Sequence, residues 1–245
     1  MKIEISWFIA FVALSVGLGA CSSAPKERPL DPKYLKEQAC KPGQDIKKAS
    51  GELWMKIHSL KPGEPNGQFP ATVAASPGHL KLEVSNLIGS TEASITIDGD
   101  TYQIDVPASK NQKGQTAQGS KSWGGLPLKW GTDLFLGKIP CPTGAEMDKA
   151  KVSLTADGGL SFETLTNEVY EYHFKSVGGA SWPDSLHYEQ KFPVEMKVGA
   201  RGKQSVIVDF KFDDQETGTL SPRKWEARSE QGEVKVRWRN RDVSR

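Results

Sequence analysis

Three candidate β-strands follow one another in residues 79–106, HLKLEVSNLIGSTEASITIDGDTYQIDV. In the first strand apolar and polar residues alternate, which places Leu80, Leu82 and Val84 on one face of a half-buried strand. The second strand ends at Asp98-Gly99-Asp100, a turn sequence typical of a β-hairpin, and the third strand follows that turn. The stretch therefore predicts an antiparallel meander with one apolar face.

Strands of the same kind are predicted along most of the remaining chain, and short turns connect them. About ten or eleven antiparallel strands in one continuous series predict a mainly β protein built on a single strongly curved sheet or barrel. Helices are expected at residues 31–40, with another helical turn or two at residues 45–50 after a break at Pro42-Gly43, and at residues 127–137. Residues 108–122 contain few apolar side chains and are expected to form a surface loop, and residues 194–198 are expected to form a further strand.

Apolar and basic residues alternate in the segment 234–238 near the C-terminus. This pattern predicts an edge strand whose positive charges prevent aggregation. The alternative is a basic face that contacts anionic lipid headgroups.

The composition excludes several classes of protein. The chain has 245 residues, of which 37% are hydrophobic, so it is not a mostly disordered chain. Its 32 Lys and Arg residues against 30 Asp and Glu residues give a net charge of +2, which does not indicate a nucleic-acid partner. The four histidines lack metal-binding spacing, and the sequence has no nucleophile, nucleotide or dinucleotide motif. We therefore expect a protein that is not an enzyme and that uses no metal or cofactor.

The N-terminus has the features of an export signal, with a positively charged start and an apolar run too short to cross a bilayer. The sequence Leu18-Gly19-Ala20-Cys21 resembles the lipobox of bacterial lipoproteins, in which the chain is cut before the cysteine that carries the lipid. We expect a signal peptide at residues 1–20, lipidation of Cys21, a flexible tether at residues 21–32 and a single domain at residues 33–245. The alternative is an ordinary signal peptide with an incidental cysteine.

Cys40 and Cys141 are the two cysteines that remain after lipidation of Cys21. Because an exported protein enters an oxidising compartment, a disulfide between them is expected. The alternative is a pair of inert buried thiols.

Three groups of residues resemble the LolB family of outer-membrane lipoproteins, which belongs to the LolA/LolB-like lipoprotein-localisation proteins. The first group is the lipobox with Ser22 directly after it, followed by a helix and by a strand that opens with Ser50-Gly51. The second is the strand and loop at residues 79–92, and the third is the segment 125–140. The sequence departs from the family where Leu87 replaces a loop proline.

The resemblance implies an incomplete, half-open antiparallel barrel that encloses a hydrophobic cavity under short helices. It implies a monomeric lipoprotein in the outer membrane, facing the periplasm. Such a protein receives acylated lipoproteins from a periplasmic LolA-like carrier and inserts them into the outer membrane. The alternative is an envelope lipoprotein of the same fold that binds another hydrophobic ligand or acts as an assembly partner.

Two sets of apolar residues are candidates for this function. Leu87 and Ile88 lie between two predicted strands and match the membrane-insertion loop of the family. The alternative for these two residues is a loop that folds back and buries both of them. A second set is expected to line the cavity, unless the barrel is filled and the same residues form a solid core. That second set consists of Leu80, Leu82, Val84, Tyr102, Ile104 and Val106.

Overall fold

The structure, a computed structural model, describes residues 31–60, 66–108, 113–123, 126–177, 179–191 and 205–245. These residues form three short helices and fifteen strands. The helices are α1 (Pro32–Ala39), α2 (Leu128–Phe135) and α3 (Gly144–Lys149). The strands are β1 (Lys48–Ser59), β2 (Gly67–Ser76), β3 (His79–Ser85), β4 (Thr91–Asp98), β5 (Thr101–Val106), β6 (Gln115–Ser120), β7 (Ser122–Trp123), β8 (Leu126–Pro127), β9 (Lys151–Leu154), β10 (Leu160–Glu163), β11 (Glu168–Val177), β12 (Ala180–Lys191), β13 (Ser205–Gln215), β14 (Pro222–Ser229) and β15 (Gly232–Ser244).

Thirteen of the described strands form one antiparallel sheet in the order β6-β5-β4-β3-β2-β1-β15-β14-β13-β12-β11-β10-β9. Two meanders are joined where the first strand pairs with the last, from Lys48 opposite Ser244 to Ser59 opposite Gly232. The sheet begins at β6 and ends at β9 and is therefore open, while β7 and β8 form a separate pair. The prediction of a mainly β, incompletely closed antiparallel fold is confirmed, with more strands than expected.

Local sequence explains where the predicted helices begin and end. Asp31 accepts a hydrogen bond from the Lys33 N–H group at 3.0 Å, and Pro32 occupies the first turn of α1. The turn after α2 contains Gly137, whose φ of +74° a residue with a side chain rarely adopts. Both helices therefore lie at the predicted positions, whereas α3 is not predicted from the sequence. The helical turns expected at residues 45–50 are wrong, because residues 48–50 begin β1 and pair with β15.

One segment expected as a loop is a strand, and one further strand is not predicted from the sequence. Residues 115–120 form β6 and not a part of a surface loop. β6 lies at the edge of the sheet and almost all of its side chains are exposed, so its sequence carries no apolar alternation. β14 escapes sequence prediction because only Pro222 and Trp225 in this strand are fully buried. The strand predicted at residues 194–198 lies outside the described residues.

The basic segment 234–238 is not an edge strand. It lies in β15, which pairs with β1 on one side and with β14 on the other. Lys235 on its outer face forms ion pairs with Glu226 at 2.9 Å and with Glu233 at 3.1 Å. The pairing of β15 with β1 places this segment inside the sheet, and no local sequence pattern predicts a pairing between strands so far apart in the chain.

The face of the sheet that carries Leu80 and Leu82, hereafter the inner face, is buried. Its side chains and the buried side chains of α1 and α2 belong to one hydrophobic core. The core is aliphatic on the first meander and mostly aromatic on the second. Representative members are Leu53, Val73, Leu82, Ile97, Tyr170, Tyr172, Tyr188 and Phe210.

Candidate functional site

The turn between β3 and β4, hereafter the tip loop (residues 86–90), is held by hydrogen bonds to one asparagine. The Asn86 N–H group donates to the Ser90 carbonyl at 2.9 Å, and the Gly89 N–H group donates to the Asn86 carbonyl at 3.0 Å. The Asn86 side-chain oxygen accepts from the Ile88 and Ser90 N–H groups at 3.1 and 3.0 Å. The Asn86 amide also donates to a Glu92 carboxylate oxygen at 2.7 Å. The tip loop therefore has a defined conformation.

This ordered loop exposes two adjacent large apolar side chains to solvent. Leu87 is 80% exposed and Ile88 is 88% exposed. Of the two alternatives for this loop, the structure has the exposed one. Covering each side chain with an apolar environment is worth about 1.5–3 kcal/mol. The tip loop is therefore a ready contact for an apolar surface.

The six residues predicted to line a cavity lie together on the inner face. Leu80, Leu82 and Val84 are buried, whereas Tyr102 and Ile104 are partly buried and Val106 is 37% exposed at the end of β5. Two cross-strand rows connect them, because Ile95 lies opposite both Leu82 and Ile104, and Ile97 lies opposite both Leu80 and Tyr102.

Helix α2 covers this part of the inner face. It contacts β2 and β3, and a Cβ atom on Gly131 would lie 3.0 Å from the Ile97 Cδ1 atom. On its other side the Trp130 ring makes edge contacts with Tyr188, Tyr170 and Phe210, with centroid distances of 4.4, 6.0 and 5.9 Å. The helix therefore packs between the aliphatic and aromatic parts of the core. Sequence analysis did not single out Trp130 for this position.

The C-terminal end of α2 is held by a buried arginine. The side chain of Arg241 is fully buried and donates from Nη2 to the Leu136 carbonyl at 2.6 Å and from Nη1 to Glu216 at 3.2 Å. Burial lowers the pKa of Arg241, and the Glu216 carboxylate opposes that shift. At the other end Pro127 provides no side-chain hydrogen bond to α2. No sequence motif marks Arg241.

Cys40 and Cys141 form a disulfide with a sulfur–sulfur distance of 2.05 Å. The bridge joins the end of α1 to the segment that follows α2. The Tyr172 hydroxyl donates to the Pro140 carbonyl at 2.7 Å, next to the bridge, and burial raises the pKa of Tyr172. The segment after α2 is therefore held by both a covalent bond and a buried hydrogen bond.

A cleft of about 860 Å³ lies between the three helices. None of the six residues predicted to line a cavity contributes to it. It is lined by the disulfide and by five lysines together with Glu37 and Asp133. Burial raises the pKa of Asp133, and the charges of Lys138 and Lys129 oppose that shift.

The remaining predicted site residue, Cys21, lies outside the described residues, as do the signal peptide and most of the tether. In the part of the chain that the structure describes, no group of three or more His, Cys, Asp or Glu side chains is arranged to hold a metal ion. A search of the same residues finds no helix that is long and apolar enough to span a membrane.

These features define a class of protein with an open antiparallel sheet, short helices on its apolar inner face and an exposed apolar loop. No protein-family model and no curated protein matches the sequence. A solved LolA superfamily protein from Nitrosomonas europaea has a TM-score of 0.46 and 9% identity, over 87% of this chain and 91% of that chain. The lipoprotein LppX of Mycobacterium tuberculosis has a TM-score of 0.33 and 11% identity, over 84% of this chain and 93% of that chain. Because both TM-scores are below 0.5, neither similarity assigns a function to this chain.

Proposed function

We propose that this protein is an outer-membrane lipoprotein, anchored through Cys21 and facing the periplasm, that binds acylated lipoproteins and assists their insertion into the membrane. The supporting observation is the tip loop, which holds Leu87 and Ile88 in water in an ordered conformation. An adjacent pair of such side chains is unfavourable unless a partner covers it. In this proposal the covering partner is the membrane that receives the lipoprotein.

The gain on insertion of the tip loop is large enough to direct docking and small enough to be reversed. Burial of Leu87 and Ile88 together is worth about 3–6 kcal/mol. Because the Asn86 hydrogen bonds already order the loop, insertion costs little conformational entropy. The loop would therefore bind a bilayer transiently during each transfer.

The acyl chains are proposed to bind on the inner face in place of α2. Displacement of the N-terminal end of α2 exposes Leu128 and Trp130, which costs about 3–6 kcal/mol, while Leu134 and Phe135 stay packed near the C-terminal end of the helix. Burial of about 14 methylene groups of one palmitoyl chain gains about 11 kcal/mol. One acyl chain is therefore sufficient to displace the helix, and a second chain would strengthen binding.

The test measures transfer of a dipalmitoylated lipopeptide from the purified full-length protein to phospholipid vesicles. We expect Ile88→Glu to retain the lipopeptide and the wild-type Tm but to transfer it at least about tenfold more slowly. Leu87→Glu should have a smaller effect. The matched control is Val177→Glu, which changes an exposed apolar residue at the other end of the sheet.

Full transfer activity in folded Ile88→Glu protein would remove the tip loop from the function. A collapsed Tm in this variant would show that Ile88 stabilises the fold. Retention of free phospholipid without retention of the lipopeptide would favour the alternative, a lipoprotein that carries another hydrophobic ligand.

A further inference from the structure

The most exposed large apolar side chains of the described residues lie at one end of the sheet, hereafter the tip end. Besides Leu87 and Ile88 they are Leu60, which is 63% exposed, and Leu165, which is 76% exposed. Leu60 directly follows β1, and Leu165 lies in the turn between β10 and β11. These four residues, hereafter the apolar rim, belong to three different loops.

The strand registers place the three loops at the same end. Ser59 at the end of β1 pairs with Gly232 at the start of β15. The start of β2 lies beside the end of β1, and the end of β3 lies beside the start of β2. Each later strand reverses direction, so the start of β15 and the start of β11 lie at this end as well. The tip loop, Leu60 and Leu165 therefore share one edge of the molecule.

Backbone hydrogen bonds hold Leu60 itself and the turn around Leu165, as they hold the tip loop. The Leu60 N–H group donates to the Gln231 carbonyl at 3.0 Å. The turn around Leu165 is closed by the Thr164 N–H group, which donates to the Glu168 carbonyl at 2.9 Å, and by the Asn167 N–H group, which donates to the Thr164 carbonyl at 3.2 Å. Leu165 is therefore exposed in a hydrogen-bonded turn, and Leu60 is exposed where its backbone continues the pairing of β1 with β15.

The opposite end of the sheet has a different character. The turns there contain Pro77-Gly78 and Gly99-Asp100, which are small or polar. Among the described residues, the large exposed apolar side chains there are Leu154, Val177 and Tyr34, at 44%, 36% and 38% exposure. Strongly exposed leucines and isoleucine are thus concentrated at the tip end.

We propose that the apolar rim is a lipid-binding surface and that Leu60 and Leu165 enter the same bilayer as the tip loop. This inference rests on the proposed function, in which the tip loop contacts a membrane. Six strands lie between β3 and β11 in the sheet, a distance of about 34 Å along the sheet at about 4.8 Å per strand. A bilayer accepts separate apolar side chains at such spacing, whereas a protein partner needs a matching pocket for each of them.

The test uses the full chain with vesicles of phosphatidylethanolamine and phosphatidylglycerol. An environment-sensitive fluorophore is attached in turn to Leu60→Cys, Ile88→Cys and Leu165→Cys, with Val177→Cys as the control at the opposite end. We expect the first three labels to shift to the blue and to be quenched by nitroxide lipids, and the control label to remain in water. With the lipid anchor removed from both proteins by Cys21→Ala, the double variant Leu60→Glu/Leu165→Glu should bind vesicles at least about tenfold more weakly, with an unchanged Tm.

The outcomes separate this inference from the proposed function. If the label at residue 88 enters the bilayer while those at residues 60 and 165 stay in water, the inference is overturned and the proposed function stands. If all three labels stay in water, both are overturned. A change in oligomeric state of the double variant without a change in vesicle affinity would assign the apolar rim to a protein contact and also overturn the inference.

Discussion

Removal of the bridge between Cys40 and Cys141 is expected to lower the free energy of unfolding substantially. The bridge spans a sequence separation of 101, and constraint of the unfolded chain over a loop of about 100 residues is worth about 4.7 kcal/mol. In a domain of this size about 1 kcal/mol corresponds to about 2–4 °C, so we expect the Tm to fall by about 10–20 °C. Helix α1 should stay docked, because Leu35 is buried and the Tyr34 hydroxyl accepts a hydrogen bond from Ser181 at 3.3 Å.

The assay is thermal and urea unfolding of the wild type and of Cys40→Ser/Cys141→Ser, each with and without dithiothreitol. The reductant should lower the Tm of the wild type to that of the double variant and should leave the double variant unchanged. A double variant with the wild-type Tm would refute the reasoning about the unfolded chain. Alkylation of both thiols in the exported protein without reductant would show that the bridge is absent.

Two further predictions concern α2. Trp130→Ala should lower the free energy of unfolding by about 3–5 kcal/mol. It should also strengthen lipopeptide binding, because it removes contacts of α2 that compete with the ligand, and Trp130→Phe should change both quantities less. An unchanged urea midpoint of Trp130→Ala would contradict this prediction. Burial raises the pKa of Asp133 above the ordinary value of 3.8, so its charged form is penalised in the folded state. Asp133→Asn should therefore raise the Tm near neutral pH, and this gain should shrink as the pH falls through the raised pKa towards 3.8. A gain independent of pH would argue against this reasoning.

The features that could be predicted from the sequence are those with a strong local pattern. The alternation of Leu80, Leu82 and Val84 indicates both the strand and its buried face, because a half-buried strand repeats every two residues. β6 has no buried face, so its sequence lacks the apolar alternation of a strand and predicts a loop. The sequence left exposure and burial of the tip loop as equal alternatives, because the Asn86 hydrogen bonds that decide between them depend on the folded turn.

The pairing of the first described strand with the last, and the contact of Arg241 with the end of α2, have no local sequence signal. The pairing of β1 with β15 joins residues from opposite ends of the described chain. The contact of Arg241 with the Leu136 carbonyl likewise connects residues 105 positions apart. Arg241 belongs to a strand whose sequence is rich in charged residues, and nothing in that sequence indicates that the fold buries Arg241 against the end of α2. These contacts depend on how the two meanders close on each other.

The different anchoring of the two ends of α2 bears on how a ligand would displace it. The buried Arg241 lies at the helix C-terminus, where the partial negative charge of the last carbonyl groups favours a cation. The desolvation cost of a buried ion pair is comparable to its Coulombic gain, so the pair with Glu216 adds little stability but specifies where the helix end sits. The disulfide at Cys141 holds the segment that follows, whereas the first turn has no side-chain cap. In the proposed function, an acyl chain that binds on the inner face would therefore displace α2 from its N-terminal end, while its C-terminal end stays attached to the sheet.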